Sequence, residues 1–389
     1  MSKEQEVFFE LVRSGLWGSH SPVSSSSTSE ATKSSAKFQV SSNIDWEKVY
    51  TLATEQSVVG LLAVGIDSLN PNVPLELKLN IIGEALQLEQ QNKAMNSFLG
   101  KLIEGLRKED VYTLLVKGQG IAQCYEKPLW RSCGDIDLFL SADNFAKAQK
   151  ALLPKASSVE DVYAYTKHQG MTIDEWVVEL HGSLRFGLSS RMDKVLDGIQ
   201  YDTFYQGDVR SWLNGNTQVF LLSPINDAVY VFAHFLNHFY REGLGVRQIC
   251  DWCRLLYTYR EKLDLRLLEQ RIKQMGLLME WRAFGAFAVE YLGMPIEAMP
   301  LLNENDNQNA NLKRKAERIK DFILMSGNFG HNRDMSHFGK YPFFVRKCIS
   351  MGRRVGDIFN HAKIFPMSSL RFFPRIMWNG VVSAMKGEG

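Results

Sequence analysis

The chain has 389 residues, 45% of them hydrophobic, enough for a large core and for two or three domains. Lysine and arginine exceed aspartate and glutamate by only two, 45 against 43, so the surface as a whole is no magnet for nucleic acid. Five scattered cysteines, the lack of an N-terminal signal sequence and the lack of any apolar run near the ~20 residues that span a bilayer argue against a disulfide scaffold or a membrane-spanning chain, and predict a soluble cytoplasmic protein.

An amphipathic helix is expected over about residues 4–16. The segment SHSPVSSSSTSEATKSSAKF follows; it has too little apolar surface to bury, and a mobile loop is predicted over 19–36. Three- and four-residue apolar spacing resumes in DWEKVYTLATEQSVVGLLAVGI and runs through LELKLNIIGEALQLEQQNKAMNSFLGKLIEGLRKED, so 1–108 reads as a helical N-terminal arm. Between about 111 and 222 the period shortens. YTLLVKG, DIDLFL, VYAYTKH, EWVVELHGSL and TQVFLL read as strands, and SADNFAKAQKALL as a helix opened by a Ser or Asp cap. An α/β core is therefore expected over 109–222. From Ser223, a plausible N-cap with Pro224 at the first helical position, the pattern is helical again, giving a C-terminal domain over 223–389. The expected class is α+β: a small mixed sheet flanked by helical segments.

Within that core RSCGDIDLFL (131–140) is anomalous. Strand alternation sends Asp135 and Asp137 to one face and Ile136 and Leu138 to the other. Two like charges on one face repel, partial burial adds a desolvation cost, and a positive group should sit between them. EWVVELH repeats the anomaly: Val177, Glu179 and His181 share a face opposite Trp176, Val178 and Leu180. Upstream, LLVKGQG is a strand running into a glycine turn and a short helical stretch. Gly118 and Gly120 let the backbone approach a ligand, the helix start offers free N–H groups to an anion, and Lys117 adds positive charge.

Three strand-borne carboxylates beside a glycine turn suit a two-metal phosphoryl-transfer site. Mg²⁺ binds through a few carboxylates plus substrate phosphates, and two ions about 4 Å apart stabilise an in-line displacement. On this reading Asp135 and Asp137 hold both ions. Glu179 completes the ion that activates the attacking hydroxyl, and could also take its proton.

The residues LLVKGQGIAQCYEKPLWRSCGDIDLFL, with VVELH downstream, resemble the DNA-polymerase-β-like nucleotidyltransferase superfamily, and within it the bacterial group called uncharacterised nucleotidyltransferases. Lys117, Gly118, Arg131, Gly134, Asp135, Ile136, Asp137, Leu138, Leu180 and His181 fit the group's pattern, and HFLNHFYREGLGVRQICDW extends the likeness more loosely. Gln119 stands where the wider superfamily has Ser or Gly, and Glu179 stands for an Asp. The resemblance implies a small mixed sheet with helices on one face, two Mg²⁺ ions, an NTP such as ATP as substrate, and transfer of a nucleoside monophosphate with release of pyrophosphate. Lys117, Gly118, Gln119, Gly120, Arg131, Gly134 and His181 would then surround the nucleotide, and Asp135, Asp137 and Glu179 would carry metal and catalysis. Two rivals stand beside this: a nucleotide-binding regulatory module without turnover, favoured by Gln119 and by the long gap from the glycine turn to Asp135, and a toxin-like transferase acting on tRNA, favoured by the basic tail.

Arg131 orients phosphates or neutralises Asp135, with a structural role preferred. His181 hydrogen-bonds Glu179 or is a satisfied structural histidine. His234 and His238 have a metal-binding spacing on one helix face but no completing ligand. Arg247 and Asp251, four apart, suit a salt bridge. These four are expected to lock the helical domain to the sheet, with lining the substrate cleft as the alternative. CDWC (250–253) falls inside a helical pattern and reads as two half-buried thiols. The basic, aromatic tail from Lys340 onward is expected to be a packing element with solvated charges. Contact with a nucleic-acid acceptor or an anionic membrane face are its alternatives. The acceptor itself, small molecule, protein or RNA, is not legible.

Overall fold

Seven strands form one mixed sheet in the computed structural model, which describes residues 1–18, 43–163, 165–328 and 343–385. The loop expected at 19–36 lies outside the described residues. Helices α1 (Lys3–Trp17), α2 (Trp46–Glu55), α3 (Val59–Leu69) and α4 (Leu75–Lys108) precede the sheet. Ser2 and Gln5 close a capping box on α1, and α4 ends on Arg107 and Lys108, which complement its dipole.

The central region runs β1 (Leu114–Val116), α5 (Gly118–Ala122), β2 (Asp135–Phe139), α6 (Ala142–Leu152), β3 (Ala156–Val159), β4 (His168–Ile173), β5 (Trp176–His181), α7 (Ser190–Tyr205), β6 (Val209–Asn214) and β7 (Thr217–Leu222). The spatial order is β3-β4-β5-β2-β1-β7-β6. The β2–β5 and β1–β7 pairs are parallel and the rest antiparallel. Ser141 caps α6 as expected, accepting from the Asn144 N–H. Helices α8 (Pro224–Arg241), α9 (Val246–Tyr259), α10 (Leu265–Met275), α11 (Leu278–Leu292), α12 (Glu304–Gln308), α13 (Ala310–Ser326), α14 (Phe343–Ile364) and α15 (Pro366–Met385) follow. Ser223 caps α8 with Pro224 at its start, again as expected.

The stretch VYAYTKH is not a strand. Among its described residues Tyr163 makes an isolated bridge, 165–167 form a turn with Lys167 at φ 46°, and only His168 enters β4. Its aromatic residues have strand propensity, but Tyr163 and Tyr165 stay exposed and no face is buried. Strands β3, β4 and β6 are the ones the reading missed.

Each face of the sheet has its own apolar cluster. Leu115, Ile136, Leu138, Val178, Leu180 and Leu221 pack on the second half of α4 (Met95, Leu99, Ile103) and on α6 (Phe145, Ala148). Leu114, Val116, Phe139 and Leu222 belong to a larger cluster with α7, α8 and the helices beyond, which α1 and α3 also join. Helices therefore flank both faces, a correction to the one-sided covering expected. Asp135, Asp137, Glu179 and His181 project from the second face, where α8 and α9 bound a cleft. In the C-terminal region His361, Phe365 and Phe372 are buried against Phe239 and Tyr240 of α8, while Phe359, Leu370 and Trp378 are exposed.

Candidate active site

The parallel pairing of β2 with β5 sets Asp137 beside Glu179 and Asp135 beside Val177. Asp135, Asp137 and Glu179 each bring a carboxylate oxygen to within 4.8 Å of the others. Asp137 is buried at 1% exposure, whereas Asp135 and Glu179 are half-buried, so the trio opens from a closed floor toward solvent.

The positive group demanded by the aspartate pair is Lys117. Its Nζ lies 2.8 Å from Asp137 Oδ1 and 3.1 Å from His234 Nε2. Val116 sits opposite Asp137 on the site face, so strand alternation would turn the next residue to the α4 side. Lys117 escapes this by leaving the strand at φ 58°, a conformation rare outside glycine that costs about 1–3 kcal/mol. The strained turn re-aims the ammonium onto the carboxylates. Burial alone would depress that ammonium, but the charges of Asp137, Asp135 and Glu179 outweigh it and hold it above the usual lysine range.

The neighbouring groups are tuned in opposite directions. Asp137 beside it, and burial second, push the Asp135 carboxyl up. Burial would also raise Glu179, but hydrogen bonds from His168 and His181, with Lys117 nearby, hold it far below the carboxylate range. His181 is lifted against burial by Asp137 at 2.7 Å and Glu179 at 3.5 Å. Burial, then Lys117 and His238, keep His234 neutral, which suits it to accept from the lysine.

The glycines and the glutamine of the turn are closely fitted to their neighbours. A Cβ on Gly120 would come within 2.6 Å of Leu221 Cδ2, so this glycine lets α5 lie on β7. Gly118, at φ 44°, makes the left-handed step. Gln119 is buried, and its Nε2 donates to Asn92 Oδ1 at 2.7 Å. Asn92 in turn donates to the carbonyls of Leu129 and Arg131. The glutamine thus ties the turn to α4 and leaves the site face. A Cβ on Gly134 would meet nothing within 4 Å, leaving the approach to Asp135 open.

Arg131 pairs with Asp251, not with Asp135. Its Nε and Nη2 reach the two carboxylate oxygens at 2.9 and 2.6 Å, and Tyr125 Oη donates to the same carboxylate at 2.8 Å. Asp251 is thus held by Arg131 and Tyr125 where Arg247 was expected, and Arg247 donates to the Ser132 carbonyl at 3.3 Å. Lys117, Gly118, Asp135, Asp137, His234 and Arg247 border the cleft. His238 Nε2 lies 3.1 Å from His234 Nε2, and its Nδ1 2.8 Å from Glu242. Among the described residues these two histidines belong to no three-residue ligand cluster. Cys250 and Cys253 are free, fully buried in α9 rather than half-buried, and burial raises both thiols.

His168 is the functional candidate the sequence reading missed. It lies opposite His181 in the β4–β5 register, with Nε2 3.0 Å from Glu179 Oε2. The available signal was the alternation of HQGMTI, where Gln169, Met171 and Ile173 are buried and His168 and Thr172 less so.

The mixed sheet thus gathers three carboxylates beside a lysine-bearing glycine turn. The family model described as "Uncharacterised nucleotidyltransferase" matches residues 42–293, more than half of the chain, and the chain belongs to that family. No curated protein and no solved structure matches it. The matched span ends just past α11, so α1 and α12 to α15 lie outside it.

Proposed function

We propose that the protein is a Mg²⁺-dependent enzyme that moves a nucleoside monophosphate from an NTP to an acceptor hydroxyl. The observation that carries this is the convergence of Asp135, Asp137 and Glu179 within 4.8 Å from two neighbouring strands. An all-oxygen set with one buried and two accessible members fits hard divalent ions that keep positions for phosphate oxygens. Two such ions, when bound, would neutralise the triphosphate and polarise the transferring group.

The chain's own residues account for the rest. Lys117 and Arg247 border the cleft and place positive charge where phosphates enter. The acceptor hydroxyl gives up its proton to solvent water and its oxygen forms a bond to the α-phosphorus as the bond to the β-phosphate bridging oxygen breaks, and pyrophosphate leaves. Glu179, held deeply ionised by two imidazoles, suits a metal ligand better than a base, because an efficient base has a pKa near the working pH. The free space between the sheet and α8/α9 is about 40 Å³, room for a few waters.

Gln119 faces α4, so it lends no support to a module without turnover. A cytoplasmic setting fits the free thiols Cys124, Cys133, Cys250 and Cys253. Among the described residues no helix is long and apolar enough to cross a membrane. Isothermal titration of Mg²⁺-NTP into the full chain tests the proposal. Binding of at least one of the four nucleotides, lost on chelation, is expected; heat-silent titrations of folded protein with all four would refute it.

A further inference from the structure

His168 and His181 form a directly opposed pair across β4 and β5, on the face that carries the carboxylates. Their rings lie 4.8 Å apart, centroid to centroid. Both aim Nε2 at one atom: Glu179 Oε2 is 3.0 Å from the first nitrogen and 3.5 Å from the second. His181 Nε2 is also 2.7 Å from Asp137 Oδ1. One ligand atom each from His168, Glu179 and His181 falls within 4.8 Å of the others. The three side chains are only 21%, 26% and 13% exposed.

Those spacings are the ones a bound ion imposes. Two donors each about 2.1 Å from one metal stand about 3.0 Å apart at a right angle and about 3.4 Å apart at the tetrahedral angle. The hydrogen bonds that now join the imidazoles to Glu179 occupy the place such an ion would take. The donor chemistry differs from that of Asp135 and Asp137. Mg²⁺ keeps to oxygen ligands, whereas imidazole with carboxylate suits zinc, iron, cobalt or nickel.

We propose that His168, His181 and Glu179 form a site for one divalent transition-metal ion beside the Asp135/Asp137 pair, whose Asp137 carboxylate stays with the Lys117 ammonium at 2.8 Å. This goes beyond nucleotidyl transfer, because it concerns a nitrogen-bearing site that fills without nucleotide. Glu179, common to both ligand sets, would couple the two metal positions, so an ion on the histidines alters the affinity of its oxygen-bound neighbour.

The test uses full-length protein stripped with a chelator and loaded with one equivalent of Co²⁺, no nucleotide present. An imidazole bound through Nε2 keeps its Nδ1 proton, so each ligand histidine gives one solvent-exchangeable, paramagnetically shifted ¹H resonance. Two such resonances are expected in the wild type, and one in each of His168→Ala and His181→Ala. Zn²⁺ affinity, read by competition with a chromogenic chelator, should fall by about 100-fold or more in His168→Ala, since even outer partners of metal ligands are worth about 10- to 100-fold. Circular dichroism checks that the variants fold, and His168→Gln replaces the alanine variant if it does not. No exchangeable shifted resonance in the Co²⁺-loaded wild type, or Zn²⁺ affinity unchanged by His168→Ala, overturns the proposal and leaves His168 as a hydrogen-bond donor that positions Glu179. Nucleotide titrations of the same protein fail or succeed independently, so the two proposals fall separately.

Discussion

Asp137 and Glu179 stand side by side on parallel neighbouring strands, although 41 residues separate them in the chain. The pairing points both carboxylates to one face, and the repulsion between them is met by Lys117 from below and by His181 and His168 from the side. Two acids and three basic groups in so little volume are costly without a ligand to share them.

Removing a charge from the trio should separate stability from activity. Asp135 has a folded-state pKa above its ordinary value because Asp137 repels it. Its stabilising contribution is therefore present at acid pH and lost as pH rises through the raised pKa. At neutral pH, Asp135→Asn should melt at or above the wild-type temperature in chelator, while nucleotidyl transfer falls by about 100-fold or more. A variant that melts lower and keeps its activity contradicts this assignment.

Lys117→Met removes one partner of a buried pair, which typically costs about 3–5 kcal/mol. Thermal melts in chelator should show that loss, and Mg²⁺ or Mn²⁺ should restore much of it by taking the place of the ammonium. The same variant should bind Mg²⁺ more tightly without nucleotide, yet bind NTP about tenfold more weakly, a change of about 1.4 kcal/mol. Calorimetry with each ligand separates the two effects.

The pH dependence of the metal-free protein should carry the signature of His181. Its pKa is raised in the folded state, so its contribution is fully present below the ordinary value of 6.5 and is lost as pH rises through the raised one. Glu179 works in the opposite sense, stabilising above its ordinary 4.5 and losing that only as pH falls toward its depressed value. Melting temperature in chelator should therefore decline as pH rises above 6.5, and His181→Gln should flatten the decline.

Arg131 and Asp251 should matter for stability rather than chemistry. Either alanine variant leaves a buried charge unpaired, a loss of about 3–5 kcal/mol. Tyr125→Phe removes one hydrogen bond to the same carboxylate and should cost about 1 kcal/mol more modestly. A double-mutant cycle over Arg131 and Asp251 should return a coupling above about 1 kcal/mol.

Much of this site was legible because charge inside a strand is improbable. Asp135, Asp137 and Glu179 stood out against Ile136, Leu138, Val178 and Leu180, and two-residue alternation fixed their faces. Lys117 was legible as a charge at the turn, but its aim was not, since that depends on a positive φ in a non-glycine residue. His168 was hidden because its role comes from cross-strand register. The structural role preferred for Arg131 fits its buried pairing, but the partner was hidden for a related reason: Asp251 arrives 120 residues later on α9. Strand β6 could have been found, since Gly215 and Asn216 join it to β7 as a two-residue hairpin loop.

The most direct test feeds α-³²P-labelled NTPs and Mg²⁺ to cell extract together with wild-type protein or Asp137→Asn. Wild type alone should transfer label to an acceptor, γ-³²P-labelled NTP should leave the acceptor unlabelled, and chelation should abolish transfer. Equal labelling by Asp137→Asn, in a variant that folds like the wild type, would contradict the claim that these acids carry the reaction.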